Sequence, residues 1–253
     1  MCHPEVLAGT PLPDVRTREV TIEVDGGQHL PGLLALPEAT PAAAVLVVND
    51  VFGRGAFYEH LTRRIAQAGF VALDVEYFFR EGAVPDGDRE AATARAPRLD
   101  QKRTLDDLQR AVDWLGKRPE VKGKRTGTIG FCMGGTLVLD LSTARADLAT
   151  VAYYGFPARA RPNVPAPLEV AEKMRGPILG HFGTEDTGVG IENVRALHSK
   201  LEAAHIEHTF HEYEGLGHGF LKAFLDDEKA PGYEQACESW KRTIDFWRKQ
   251  LAA

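Results

Sequence analysis

Three side chains of this 253-residue chain have the types and settings of an acyl-transfer machine. Cys132 lies in Gly130-Phe131-Cys132-Met133-Gly134-Gly135, between a run that reads as a strand and one that reads as a helix. Gly-x-Cys-x-Gly-Gly at such a junction is a nucleophile elbow with sulfur in place of oxygen. The turn is sharp, so the residues two positions away on either side must lack side chains. It points the sulfur at a helix N-terminus, whose dipole favours a thiolate. The Met133 backbone N–H then faces the place where an oxyanion would develop. The bland alternative is a buried structural cysteine.

A thiol nucleophile needs a base and a group that orients the base. The run 177–182 leads into Gly183-Thr184-Glu185-Asp186, and the run 207–213 leads into Glu214-Gly215-Leu216-Gly217-His218-Gly219-Phe220. Asp186 and His218 thus each follow a strand, in the chain order nucleophile, acid, base. A solvated Glu185-Asp186 turn and a surface histidine are the competing readings.

The elements that must position these residues follow from periodicity. Residues 17–24 alternate, Asp25-Gly26-Gly27 turns the chain, and 30–36 returns it, which predicts an antiparallel hairpin. Pro31 lacks a ladder donor and predicts an edge position for the second strand. Continuous apolar runs at 43–48 and 70–75 predict strands buried on both faces. Strands are also expected at 124–130, 149–154, 177–182 and 207–213. Helices are expected at 57–68, ending at Gly69, at 100–117, 133–145 and 191–204, and near the C-terminus on the stripe Trp240, Ile244, Trp247. Asp106–Arg110 and Asp113–Lys117 are candidate i,i+4 pairs. The stretches 76–97 and 156–167, the latter with four prolines, read as pocket-shaping loops. Hairpin first, then strand and helix alternating, predicts an α/β fold. Its central sheet is mostly parallel, with helices on both faces and sites at the carboxyl ends of the strands. The length fits one domain spanning 1–253.

Composition narrows the function. Lys and Arg total 30 against 36 Asp and Glu, a net charge of −6, which disfavours nucleic-acid binding. No apolar run approaches a membrane span, and the N-terminus lacks the charged-then-apolar pattern of a signal peptide. Three cysteines, Cys2, Cys132 and Cys237, exclude a disulfide scaffold and point to a cytoplasmic protein with reduced thiols. His205, His208 and His211, with Glu207 and Glu212, suggest a metal, but strand alternation puts His208 and His211 on opposite faces. Neither a metal site nor a cofactor is expected.

On these motifs the chain resembles the dienelactone hydrolase (carboxymethylenebutenolidase) family of α/β-hydrolases. Supporting pieces are Val48-Asn49-Asp50-Val51-Phe52-Gly53, Ala152-Tyr153-Tyr154-Gly155 and Gly217-His218-Gly219-Phe220. The resemblance implies an α/β-hydrolase fold and a triad of Cys132, Asp186 and His218. It also implies oxyanion donors at the Met133 and Val51 backbone N–H groups. Asp50 stands where the family's archetype has a Glu that contacts the resting thiol. The archetype holds its substrate carboxylate with two arginines; Arg80 matches one, and Lys222 stands at the other, a point charge without the bidentate fork. Gly219 replaces a small hydroxyl residue. Tyr153 and Tyr154 are candidate pocket walls, with a place in the core as the alternative. The expected activity is hydrolysis of a lactone or ester, its small-molecule substrate possessing an anionic group if Arg80 and Lys222 serve as implied. A general carboxylesterase or thioesterase for neutral substrates is the second reading, and a non-catalytic binding protein the third. The protein is expected as a monomer or small homo-oligomer.

Overall fold

The computed structural model describes residues 11–85, 87–225 and 228–252; Cys2 and the opening stretch read for a signal peptide up to residue 10 lie outside them. The hairpin forms from β1 (Arg16–Val24) and β2 (Gln28–Leu36), joined through Gly26 and Gly27 at φ of 77° and 67°. Only glycine takes such angles without cost, which is why the turn falls there. The parallel strands are β3 (Ala44–Val48), β4 (Val71–Val75), β5 (Thr126–Phe131), β6 (Leu148–Tyr153), β7 (Ile178–Gly183) and β8 (His208–Tyr213). They make one sheet in the order β1-β2-β4-β3-β5-β6-β7-β8, with β2 antiparallel to both β1 and β4. Every residue of β3, β4, β5, β6 and β7 is buried, as continuous apolar runs require of strands covered on both faces.

Pro31 does not mark an edge: β2 lies between β1 and β4. The β2–β4 ladder begins one residue later, at Gly32, and the Pro31 carbonyl accepts from Glu76 N just past the end of β4. The carbonyl and the absent N–H of an antiparallel residue face the same side, so the missing donor falls where the ladder has ended.

The chain leaves β3 through α1 (Ala56–Gln67) to β4 on one side. It then crosses back through α2 (Arg89–Arg95) and α3 (Gln101–Gly116) to β5 on the other side of β3. Right-handed crossovers in opposite directions put α1 on one face and α3 on the other. Beyond β5 the direction holds, through α4 (Met133–Ala144) and α5 (Ile191–Ala203). The last helix, α6 (Tyr233–Gln250), returns to the face of α1, where its Trp247 meets Phe70 edge-on at 5.8 Å. The reversal at β3 opens a crevice between the carboxyl ends of β3 and β5, where ligands enter such sheets.

Side chains tie the layers in ways local spacing does not foresee. Arg110 pairs with Asp25 of the hairpin turn rather than Asp106, and Asp113 pairs with Arg145 at 2.6 Å rather than Lys117. The stretch 76–97 contains α2, whose N-terminus is capped by Asp88 Oδ1 accepting from Ala91 N at 2.9 Å. Among the described residues no helix is long and apolar enough to cross a membrane.

Candidate active site

Cys132 sits between β5 and α4 at φ 56°, ψ −116°, a conformation that costs a side-chain-bearing residue roughly 1–3 kcal/mol. Its neighbours explain why it persists. A Cβ on Gly130 would fall 2.1 Å from Gly134 O, and one on Gly134 would fall 2.1 Å from Val48 O. A Cβ on Gly135 would approach Tyr153 O to 2.7 Å. The first turn of α4 therefore rests directly on the backbones of β3 and β6. Cys132 N donates to Tyr153 O at 3.0 Å, which fixes the elbow. The motif Gly-x-Cys-x-Gly-Gly is the sequence image of these contacts.

Asp186 and His218 converge on the same corner. Asp186 is buried, with Oδ1 accepting from Gly188 N at 3.0 Å and Val189 N at 3.1 Å. Its Oδ2 lies 2.5 Å from His218 Nδ1. Burial would raise the Asp186 pKa, but the hydrogen bond and charge of His218 hold it below the usual carboxylate range. Neighbouring Glu185 is exposed. Burial would lower the His218 pKa, yet hydrogen bonds to Asp186 and Cys132 carry it up to about 9. With Nδ1 held by Asp186, Nε2 is the ring nitrogen left for Cys132. Phe156 stacks on the imidazole at 5.4 Å, and Tyr154 packs beside it at 4.9 Å.

Asp50 follows β3 and is 1% exposed. Burial, then the neighbouring Cys132, push its pKa up to about 7, against hydrogen bonds from Phe52 N and Tyr58. The Phe52 N–H donates to Asp50 Oδ1 at 2.9 Å, and Tyr77 Oη donates to Asp50 O at 2.8 Å. Among the described residues neither Val51 N–H nor Met133 N–H meets a hydrogen-bond acceptor. The second belongs to the first turn of α4, which leaves its donors unspent.

These groups border a pocket of about 320 Å³. Its walls include Cys132, Met133, His218, Val51, Phe52 and Phe156, and also Arg89, Arg159 and Arg161. The three arginines come from α2 and the 156–167 loop, and among the described residues none is ion-paired. Arg161 donates to Ala96 O at 3.0 Å and to Met133 Sδ at 3.1 Å. Phe156 lies under the Arg159 guanidinium at 3.5 Å.

The other expected binding residues stand elsewhere. Arg80 is held bidentately by buried Asp107 on α3 and donates to Gln28 Oε1 at 2.7 Å, so its charge is spent on joining α3 to the hairpin. Lys222 is exposed on the 3₁₀ turn Phe220–Leu225 and does not border the pocket. Tyr153 belongs to the core: its ring stacks on His181 at 4.4 Å, and its hydroxyl reaches Thr243 at 2.9 Å. Tyr154 backs His218 without entering the pocket wall. His208 Nε2 contacts His198 Nδ1 at 2.8 Å, while His211 stacks on His181. The signal for the arginine wall was present in sequence only as charge within the two long loops.

Known proteins share this architecture. The chain is 32% identical over 230 residues to the carboxymethylenebutenolidase of Rhodococcus opacus, covering 89% of this chain and 88% of that one. A Klebsiella pneumoniae structure assigned as a dienelactone hydrolase superposes with a TM-score of 0.84 at 25% identity, over 93% of this chain and 99% of that one. A dienelactone-hydrolase-like promiscuous phosphotriesterase from metagenomic libraries shares the fold, with a TM-score of 0.77 at 23% identity over 94% and 99% of the two chains. The family model described as the dienelactone hydrolase family matches residues 30–251, from the hairpin's second strand to the end of α6. With that match spanning both the pocket loops and the elbow, the chain belongs to the dienelactone hydrolase family, and it is a hydrolase of the carboxymethylenebutenolidase kind.

Proposed function

We propose that the protein opens lactones or esters by acyl transfer through Cys132, with His218 as general base and acid and Asp186 orienting it. The observation that carries this reading is the chain Asp186–His218–Cys132 ending on a strained thiol in a pocket wall. The raised His218 pKa favours an imidazolium beside a thiolate. The thiolate attacks the carbonyl carbon, a C–S bond forms, and the oxyanion is held by the Met133 and Val51 N–H groups. Such donors are worth about 3–4 kcal/mol each. As the C–O bond breaks, the leaving oxygen takes the proton from His218 Nε2. Water then attacks the thioester, His218 accepts its proton, and Cys132 leaves as thiolate. Asp50, mostly protonated below about pH 7, sits beside the sulfur there without repelling it.

The arginine wall supports an anionic substrate, with Arg161, Arg159 and Arg89 in the place the resemblance gives to Arg80 and Lys222. The name of the Rhodococcus relative describes a butenolide with a carboxymethylene group, which fits a carboxylate at this wall. Incubation with a lactone substrate, followed by mass spectrometry of the Cys132 peptide, should show an acyl adduct. Hydrolysis that survives Cys132→Ala would overturn the assignment.

A further inference from the structure

Two consecutive peptide planes form the corner that presents the Val51 N–H. In the first, the Asp50 carbonyl accepts from Tyr77 Oη at 2.8 Å and from Gly53 N at 3.1 Å. The Asp50–Val51 bond is trans, so its N–H points opposite to that carbonyl. Fixing the oxygen against Tyr77 therefore aims the Val51 N–H away from Tyr77, on the side where Val51 borders the pocket. In the second plane, the Val51 carbonyl accepts from Arg95 at 3.0 Å, while the Phe52 N–H donates to Asp50 Oδ1 at 2.9 Å. Both planes are thus held by side chains from outside the corner, and Tyr77 spans a third carbonyl, Asn49 O, at 3.2 Å.

Arg95 is an unusual choice for this task. It is 2% exposed, yet its guanidinium is spent on the carbonyls of Val51 and Gly82 and on the Phe78 ring at 4.0 Å. Among the described residues no carboxylate pairs with it; Glu76 and Glu81 act on it only at longer range. Burying an unpaired guanidinium is costly, and carbonyl partners offset that only in part. It also rides on α2, the helix that gives Arg89 and Thr93 to the pocket wall.

We infer that Tyr77 and Arg95 are positioning residues for the oxyanion donor at Val51, and that α2 couples the substrate wall to that donor through Arg95. This rests on the proposed acyl transfer at Cys132. Neither side chain touches substrate, so each acts on the transition state through the Val51 peptide. A donor misplaced by about 1 Å can cost on the order of 10²-fold in rate.

Tyr77→Phe and Arg95→Lys are compared with the unsubstituted protein on a chromogenic ester. Three further readouts are taken: iodoacetamide alkylation of the Cys132 peptide, inhibition by a small aldehyde that forms a hemithioacetal, and the thermal midpoint. Alkylation passes through no oxyanion, so it reports the thiolate alone. The expected result for Tyr77→Phe is kcat lowered by roughly 10–10²-fold, aldehyde affinity weakened in parallel, and KM and alkylation little changed. Arg95→Lys, which cannot span both carbonyls, changes kcat and aldehyde affinity in the same direction by less. An unchanged kcat in a folded Tyr77→Phe protein overturns the inference, and so does a fall in alkylation matching the fall in kcat. Hydrolysis retained by Cys132→Ala, run alongside, would instead remove the acyl-transfer reading itself.

Discussion

Replacing Asp186 by Asn separates the geometry of the His218 site from its charge. Asp186 Oδ1 accepts from two backbone N–H groups, of Gly188 and Val189, so an Asn must keep its oxygen there or face three donors together. Its NH₂ then faces His218 Nδ1 and can only donate. The imidazole is forced into the Nε2–H tautomer, with its proton aimed at Cys132 and no lone pair left to accept one. The charge is lost as well. His218 stands at about 9 against an ordinary 6.5, a preference for the imidazolium of about 3 kcal/mol that Asp186 and Cys132 supply against burial. Without the Asp186 charge and its acceptor, burial is opposed by Cys132 alone, and the His218 pKa falls. By analogy with wrong-tautomer serine enzymes, kcat/KM should fall by roughly 10³–10⁴-fold.

Alkylation of the Cys132 peptide by iodoacetamide, followed against pH, should show the thiolate appearing at higher pH in the variant. Stability gives an independent sign. The folded His218 pKa is raised, so its contribution is fully present below about 6.5 and is lost as pH rises through about 9. The depressed Asp186 contributes above its unfolded pKa of about 3.9 and is lost as pH falls through its folded value. Urea unfolding should therefore separate the two proteins most near pH 6 and less near pH 10. An Asn variant within about tenfold of the parent in kcat/KM, with an unmoved alkylation profile, would refute this account.

The remaining predictions concern the other walls. Asp50 ionises beside the sulfur as pH rises through about 7, so kcat/KM should bend there, and Asp50→Asn should remove the bend in a pH–rate profile. Gly134→Ala puts a methyl 2.1 Å from Val48 O, a backbone atom that cannot step aside. Urea unfolding should show a loss beyond the ~1–3 kcal/mol usual for overpacking, or no folded protein at all. Arg161→Ala should raise KM for a carboxylate-bearing lactone about tenfold while leaving a neutral ester unchanged. Arg80→Ala should leave that selectivity alone and cost about 3 kcal/mol in thermal or urea unfolding, because it strands buried Asp107.

What could be read from sequence was whatever is settled within a few residues. The elbow is legible because each glycine answers a contact made at the strand–helix junction itself. Asp186 and His218 are legible because each follows a strand. Arg80 is not, since its fate depends on Asp107, which reaches it only once α3 has packed beside the hairpin. Tyr153 fails similarly: β6 is buried on both faces, so alternation says nothing about which face meets the pocket and which meets Thr243. Pro31 misleads because a missing donor matters only where a ladder still runs. Arg110 and Asp113 find partners 85 and 32 residues away, ahead of those four away.

The same division explains how an acidic chain can present a cationic pocket. The net charge of −6 is summed over the whole sequence, whereas a bound anion responds to charges within about a Debye length of ~10 Å. Near the sulfur, the acid that would oppose an anion, Asp50, is shifted by burial so that it is largely protonated below about pH 7. In the same pocket wall, Arg89, Arg159 and Arg161 carry charges that no described carboxylate pairs with. The rigid part of the site, the elbow and its glycines, stores the strain of Cys132 and is fixed by backbone contact. The proposed recognition part is carried by Arg89, Arg159 and Arg161 on two long connections. A substitution in the first should disturb chemistry and folding together, whereas a substitution of Arg89, Arg159 or Arg161 should shift selectivity with the fold intact.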